Sequence, residues 1–433
     1  METVTEYSGT NHDCIFTANG NSSLEMTGGS ITNNAIDSKG IRMSLGGNID
    51  LSGDSKIMSN GYSISVGYSG VINISDPVVV TGTISGSCNA YITGGTIGTI
   101  NIKNATVTGG TIGKADKGDV INISDNAKIG TGEEVAIRKY AKVNITGGVI
   151  SGGILDDESN SVSMNLTMSG GKVVGTSYGI KFKNVGTVVN ITDGEISASN
   201  GPGIWEIKGK LILGVNDKEI PSIISPVVKG TTCGVKNEKG EFEFYDGIIK
   251  SDLSSNSSID GDVSKRPEMY VVSNESDENN KFAVLRINGD IEKVAEVNNI
   301  EYTNFYDAIN EAIKLNTTVK IFKGIELTDV ITIPNGSNVT IDLAGHTLQG
   351  SISSGALIIN NGTLTIIDSS ESSTTDFATI ENTAGAAIEN NGTLIIGVDD
   401  NVNNNNSPRI IGVSEAVIGS GTKKLFDGQI INK

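Results

Sequence analysis

The residues with the plainest chemical potential in this 433-residue sequence are two carboxylate runs, Asp156-Asp157-Glu158 and Asp399-Asp400, each set in a polar stretch of corner-loop composition. Paired carboxylates can serve as acid and base in glycoside hydrolysis, but neighbours on one loop do not by themselves set the separation that the reaction needs. The same oxygens could bind calcium, which takes carboxylate and carbonyl ligands. The plainer alternative is a solvated loop, because charge runs usually face water. Arg42, Arg138, Arg266, Arg286 and Arg409 are isolated in sequence, and none stands in a recognisable catalytic phrase. Of the two histidines, His12 precedes the repeats and reads as a surface residue, and His346 lies in a Gly-His-Thr turn where a structural role is the simpler one. Cys14, Cys88 and Cys233 follow no metal-ligand spacing, so neither a zinc site, a dense disulfide framework nor thiol chemistry is expected. No residue is assigned a catalytic role.

A different constellation comes from a recurring phrase: apolar, polar, apolar, Ser or Thr, then Gly or Asp. It appears as Leu24-Glu-Met-Thr-Gly-Gly, Ile49-Asp-Leu-Ser-Gly, Ile72-Asn-Ile-Ser-Asp, Ile121-Asn-Ile-Ser-Asp, Val143-Asn-Ile-Thr-Gly-Gly, Leu166-Thr-Met-Ser-Gly-Gly and Val189-Asn-Ile-Thr-Asp-Gly. If the phrases stack in register, Asp50, Asn73, Asn122, Asn144, Thr167 and Asn190 form one outward polar ladder. Asparagine offers both donors and acceptors, so such a face could hydrogen-bond the hydroxyls of a glycan chain. The competing reading is that any strand in water needs polar outward residues. Trp205 and Tyr178 are the candidates for stacking on a sugar, although Trp205 could equally cover the edge of a coil.

These residues need elements to position them, and the phrase supplies the elements. Its alternation has period two, as a strand with one buried face requires, and the Gly-Gly that follows can take positive φ and turn the chain sharply. The Ser/Thr anchors at 27, 52, 75, 93, 108, 124, 146, 169 and 192 are spaced by 25, 23, 18, 15, 16, 22, 23 and 23 residues. Such spacing is the mark of a repeat architecture whose corners carry loops of variable length. The composition agrees: 55 glycines, one Trp and few other aromatics leave a narrow interior to be filled by Ile and Val. The formal charge of −18 repels nucleic acid and anionic membrane surfaces. No stretch approaches the ~18 apolar residues of a membrane helix, and the first residues carry no signal-peptide pattern.

The rhythm organises the chain into a first module over 1–250, a polar closing segment or linker over 251–292, and a second module over 293–433. The second module opens with an amphipathic helix at about 304–315, capped by Asn304, with Phe305, Ala308, Ile309, Ala312 and Ile313 on one face. Laid over the open end of a stack, that helix would cover unpaired strand edges. After it come Val319-Lys-Ile-Phe, Val330-Ile-Thr-Ile-Pro-Asn-Gly and Val339-Thr-Ile-Asp-Leu-Ala-Gly-His-Thr-Leu-Gln-Gly350, then Asn361-Gly-Thr-Leu and Asn391-Gly-Thr-Leu.

Helix, extended stretch and the Thr-Ile-Asp-Leu-x-Gly-His-Thr-Leu segment together resemble the N-terminal cap and first coils of pectin-lyase-like β-helix proteins. The later phrases resemble repeat modules of large surface proteins from Gram-positive, clostridial-type bacteria. The resemblance implies an all-β fold: a right-handed parallel β-helix in two consecutive modules with one short capping helix. Enzymes on that fold cleave acidic polysaccharides, using calcium with an Arg or Lys base or clustered Asp residues, and the sequence shows little of that equipment.

The expected function is therefore a non-enzymatic extracellular adhesin or stalk segment on the cell surface, contacting host or plant glycans or a surface receptor. No nucleic acid, membrane insertion or cofactor is expected, calcium excepted. A polysaccharide lyase or hydrolase is the alternative, and a phage tail-spike-like fibre a third reading. Gly240-Glu-Phe-Glu-Phe-Tyr-Asp-Gly-Ile-Ile-Lys250 matches Gly421-Thr-Lys-Lys-Leu-Phe-Asp-Gly-Gln-Ile-Ile-Asn432, so both modules close alike. The first continues into its linker where the second reaches Lys433, and the expectation is a truncated module within a longer multi-module chain.

Overall fold

The computed structural model describes residues 13–17, 20–34, 39–132, 135–157, 162–216, 221–289, 291–370, 378–397, 408–413 and 415–433. The fold is all-β, with one helix among the described residues, and the chain divides into two compact units, Met1–Leu285 and Arg286–Lys433. That helix is too short to cross a membrane.

In the first unit each passage of the chain adds one strand to each of three parallel ladders. The repeated phrase builds the first ladder, where Leu24, Ile49, Ile72, Ala90, Ala105, Ile121, Val143, Leu166, Val189, Leu211 and Phe242 stand in register on successive ranks. The second runs from Ile31 and Ile57 through Ile112 and Ile150 to Ile249, and the third from Ile41 and Ile64 through Ile154 and Ile204 to Ile259. Each rank stacks its inward β-branched side chains on those of the next, so the interior is a column of Ile, Val and Leu with almost no exposure. Removing one such side chain costs roughly 2–5 kcal/mol, because the flanking ranks are held by their own ladders and close the hole poorly.

The turns between the first two ladders explain the glycine content. A Cβ on Gly109 would stand 2.3 Å from the Thr93 carbonyl oxygen, and Gly110, at φ 76°, lies as close against the backbone of Gly94. Turns stack on turns there, and no side chain fits. The spacings of 18 and 15 residues arise where one continuous strand, Val79–Ile92 and then Thr96–Val107, supplies all three ladders without a corner loop.

Of the polar closing segment, residues 251–285 belong to the first unit. Ile259–Asp260 extends the third ladder, and the strand Asn280–Ile287 pairs antiparallel with Ile248–Asp252, placing Ala283 opposite Ile249.

The second unit begins with Ala295–Val297 and Ile300–Tyr302, an antiparallel pair whose first strand also pairs antiparallel with Thr318–Ile321. The helix α1, Phe305–Leu315, packs on these strands through Phe305, Ala308, Ile309 and Ala312. Asn304 caps it by accepting from the Tyr306 amide, and Asn316 ends it in the left-handed region at φ 52°. The chain then visits three sheets in rotation. Val319, Ile341, Ile366, Ile396 and Leu425 mark the first; Ile325, Leu348, Ile380, Ile410 and Ile430 the second; Ile331, Ile358, Ile388 and Val417 the third. His346 is a turn residue: its amide donates to Leu343 O at 2.8 Å, and its carbonyl accepts from the Thr379 amide at 3.2 Å.

Candidate functional site

The six residues of the expected polar ladder do stand in one column. The column is longer than the phrase revealed, running Glu25, Asp50, Asn73, Tyr91, Thr106, Asn122, Asn144, Thr167, Asn190, Ile212 and Glu243. Tyr91 and Thr106 separate Asn73 from Asn122, so the amide array is interrupted by one aromatic rank. Side chains bond along the column: Asn73 Nδ2 to Asp50 Oδ1 at 2.6 Å, Asn144 Nδ2 to Asn122 Oδ1 at 2.6 Å, and the Thr167 hydroxyl to Asn144 Oδ1 at 2.8 Å. An amide carries two donors and two acceptor lone pairs, so these bonds leave capacity for a ligand at most ranks.

Asp156, in the first acidic run, behaves differently. Asp156 is fully buried: the Thr187 hydroxyl donates to its Oδ2, Asn184 Nδ2 donates to its Oδ1 at 2.8 Å, and Asn184 Nδ2 also reaches the Asp157 carbonyl at 2.9 Å. The carboxylate thus pins the corner to the next rank, in place of the solvated loop read from sequence. Glu158, Asp399 and Asp400 lie outside the described residues, as does His12. Among the described residues no group of three or more His, Cys, Asp or Glu side chains is placed to hold a metal ion.

A site that sequence did not assemble lies on the third ladder. Lys181, Trp205, Lys236 and Asp260 occupy successive ranks of one outward column. The Lys181 ammonium sits 3.5 Å from the centre of the indole ring and that of Lys236 4.9 Å from it, so two cations hold the ring. Trp205 Nε1 donates to Glu238 Oε1 at 2.9 Å, and Lys236 Nζ lies 3.4 Å from the same oxygen. The indole hydrogen bond, aided by Lys236, holds the Glu238 carboxyl below the ordinary range. Beside the ring opens a groove of about 430 Å³ lined by Pro202, Trp205, Thr232, Cys233, Lys236, Asn256, Ser257 and Asp260. It joins one rigid aromatic wall to donors and acceptors of both charges. Trp205 is thus fixed into a column and does not simply cover an edge; its partners are 24 and 31 residues away, beyond the reach of any motif.

A carboxylate–arginine cluster also forms on the third ladder. Arg138 Nε donates to Asp116 Oδ1, and Lys114 Nζ lies 3.5 Å from the same oxygen. Burial works to raise the Asp116 carboxyl, but Arg138 and Lys114 outweigh it and hold the group below its usual range. That pairing suits a structural ion pair better than a general acid. Burial pushes the Cys88 thiol up to about 11 and raises those of Cys233 and Cys14, so none supplies a thiolate near neutral pH. No protein-family model, no curated protein and no solved structure matches the chain.

Proposed function

We propose that the chain is a non-enzymatic extracellular adhesin or stalk segment, wound as two right-handed parallel β-helix modules of pectin-lyase-like kind, that binds glycans on its third-ladder face. The rotation of the chain through three parallel ladders supports the winding, and right-handed crossovers are the rule between parallel strands. The observation that carries the binding reading is the groove beside Trp205. A sugar presents hydroxyls and an apolar ring face, and this groove offers Lys236, Asp260, Asn256 and Ser257 around an immobilised indole. Prior fixation by Lys181 and Lys236 lowers the entropy lost when a ligand packs against the ring. Surface display on a Gram-positive bacterium, and host or plant glycans as partners, belong to the same proposal. A polysaccharide-cleaving activity is the second reading; it would need the ionised Asp116 beside Arg138 and Lys114 to act as a base, since those partners keep it from serving as an acid.

Binding of the 433-residue chain to a broad glycan array, with calcium present and the array re-probed afterwards for shortened chains, separates the two. Retention on intact glycans that Trp205→Ala lowers at least about tenfold supports the groove. Shortened glycans support the enzyme. Retention unaffected by Trp205→Ala, but lost in Asn122→Ala/Asn144→Ala, would move the site to the polar ladder.

A further inference from the structure

The groove beside Trp205 does not end at its own wall. Asn256 and Ser257 also line a second groove, of about 390 Å³, together with Asn274, Glu275, Lys281 and Phe282. The two openings therefore meet at one short segment, with an aromatic side chain in each: Trp205 in the first and Phe282 in the second.

The shared segment is held in place from both sides. Ser251, Ser255 and Ser258 are buried around it; Ser255 Oγ donates to Ser251 Oγ at 2.6 Å, and Ser251 Oγ lies 3.1 Å from Ser258 Oγ. The Ser258 carbonyl accepts from the amides of Gly234 at 2.8 Å and Val235 at 3.2 Å, which ties the segment to the preceding rank. Towards the second groove, Lys281 Nζ donates to the Ser255 carbonyl, and strand pairing sets Phe282 opposite Lys250. Asn256 is thus exposed on an ordered backbone, and a surface ordered before binding loses little entropy when a ligand arrives. The charges balance: Lys236 and Lys281 stand against Asp260 and Glu275, and Lys236 Nζ already lies 3.4 Å from Glu238. A chain with a carboxylate on every unit would meet as much repulsion as attraction here, and would have to approach a protein of formal charge −18. A neutral sugar meets donors, acceptors and two aromatic walls.

We infer that the two grooves are one site for a neutral linear oligosaccharide, long enough for one sugar to stack on Trp205 while another packs against Phe282. This rests on the glycan-binding reading above and adds the charge of the ligand, its least extent and the second half of its site. Two subsites filled by one chain make the second contact intramolecular, so affinity rises with chain length until both are occupied.

The test presents the 433-residue chain with neutral and with uronate-containing glycans, each series running from disaccharide to hexasaccharide. The expected result is that a neutral hexasaccharide binds at least about tenfold more tightly than its disaccharide, and more tightly than uronate chains of equal length. Phe282→Ala should remove that gain and leave disaccharide binding unchanged. So should Asn274→Arg, which fills the second groove from an exposed position without touching the core. Trp205→Ala should weaken short and long chains alike. Affinity independent of length, uronate chains bound as tightly as neutral ones, or a length gain that survives either Phe282→Ala or Asn274→Arg would overturn this inference and leave glycan binding at Trp205 standing. No retention of any glycan would overturn both.

Discussion

The closing ranks differ most at one inward polar position, and the difference shows what closure requires of a side chain. In the second unit Asn390 is fully buried; its Nδ2 donates to Thr422 O at 2.9 Å and its Oδ1 accepts from Asn360 Nδ2 at 2.8 Å. A Cβ on Gly421 would press on Asn390 Nδ2 at 2.7 Å, just as one on Gly240 would press on Glu206 Oε1 at 2.0 Å, so Glu206 is the counterpart of Asn390. Glu206 is as deeply buried, yet no side chain donates to either of its oxygens. An amide brings its own donor to a backbone carbonyl; a carboxylate must first take up a proton. Burial accordingly pushes the Glu206 carboxyl up to about 8, with the Leu211 backbone offsetting part of the effect and the charge of Glu241 adding to it.

The comparison is broken or sharpened by substitutions on the two ranks. The largest effect is expected at Phe244: its truncation to alanine should cost about 3–5 kcal/mol in denaturant unfolding of the first unit, against about 1 kcal/mol for Leu425→Ala in the second. Equal costs would mean that burial does not set the difference. Next comes Glu206. Its folded pKa lies above its unfolded one, so the native state holds the extra proton, and stability should fall as pH rises from about 4.5 to about 8. Glu206→Gln should remove that fall, with a gain on the order of a few kcal/mol at the alkaline end; thermal unfolding against pH would show it, and an unchanged profile would refute the assignment.

A smaller effect, of opposite sign in pH, is expected at Lys265. Burial would raise the Glu243 carboxyl, but hydrogen bonds from Lys210 and Lys265 hold it down to about 2, so this pairing stabilises the first unit above about 4.5 and fails as pH falls towards 2. Lys265→Ala should move acid unfolding of the first unit to higher pH and leave the second unit unchanged. Smallest of all, Asn144→Ala in the middle of the polar ladder should cost no more than about 1 kcal/mol, since its bonds lie on a face open to water. A larger loss would mean that the amide column, as well as the apolar interior, holds the ranks in register.

The sequence made the first ladder legible wherever the phrase survives, because Val143-Asn-Ile both alternates and ends in a glycine turn. The turns at Thr93 and Thr108 marked two further ranks, but Tyr91 and Thr106 were not read into the outward column, because Asn89-Ala-Tyr-Ile and Asn104-Ala-Thr-Val keep the period and lose the large inward residue. The helix at Phe305–Leu315 was plain from its cap and apolar face. The Trp205 groove was not, since Lys181, Trp205 and Lys236 become neighbours only through ladder register, which no local pattern encodes. Asp156 looked like one of three solvated acids; only the stacking of the Thr187 rank upon it turns it inward.

The stacked glycine turns carry a consequence for how such a chain can grow. Gly110 rests on Gly94 and Gly171 on Gly147, so each turn is the template for the one above it, whatever the loop length elsewhere in the passage. A gene segment cut and rejoined at corresponding points of two passages would encode a protein whose turns still nest, one storey shorter or taller. Point changes at those glycines should therefore be more damaging than the clean removal or addition of a whole passage.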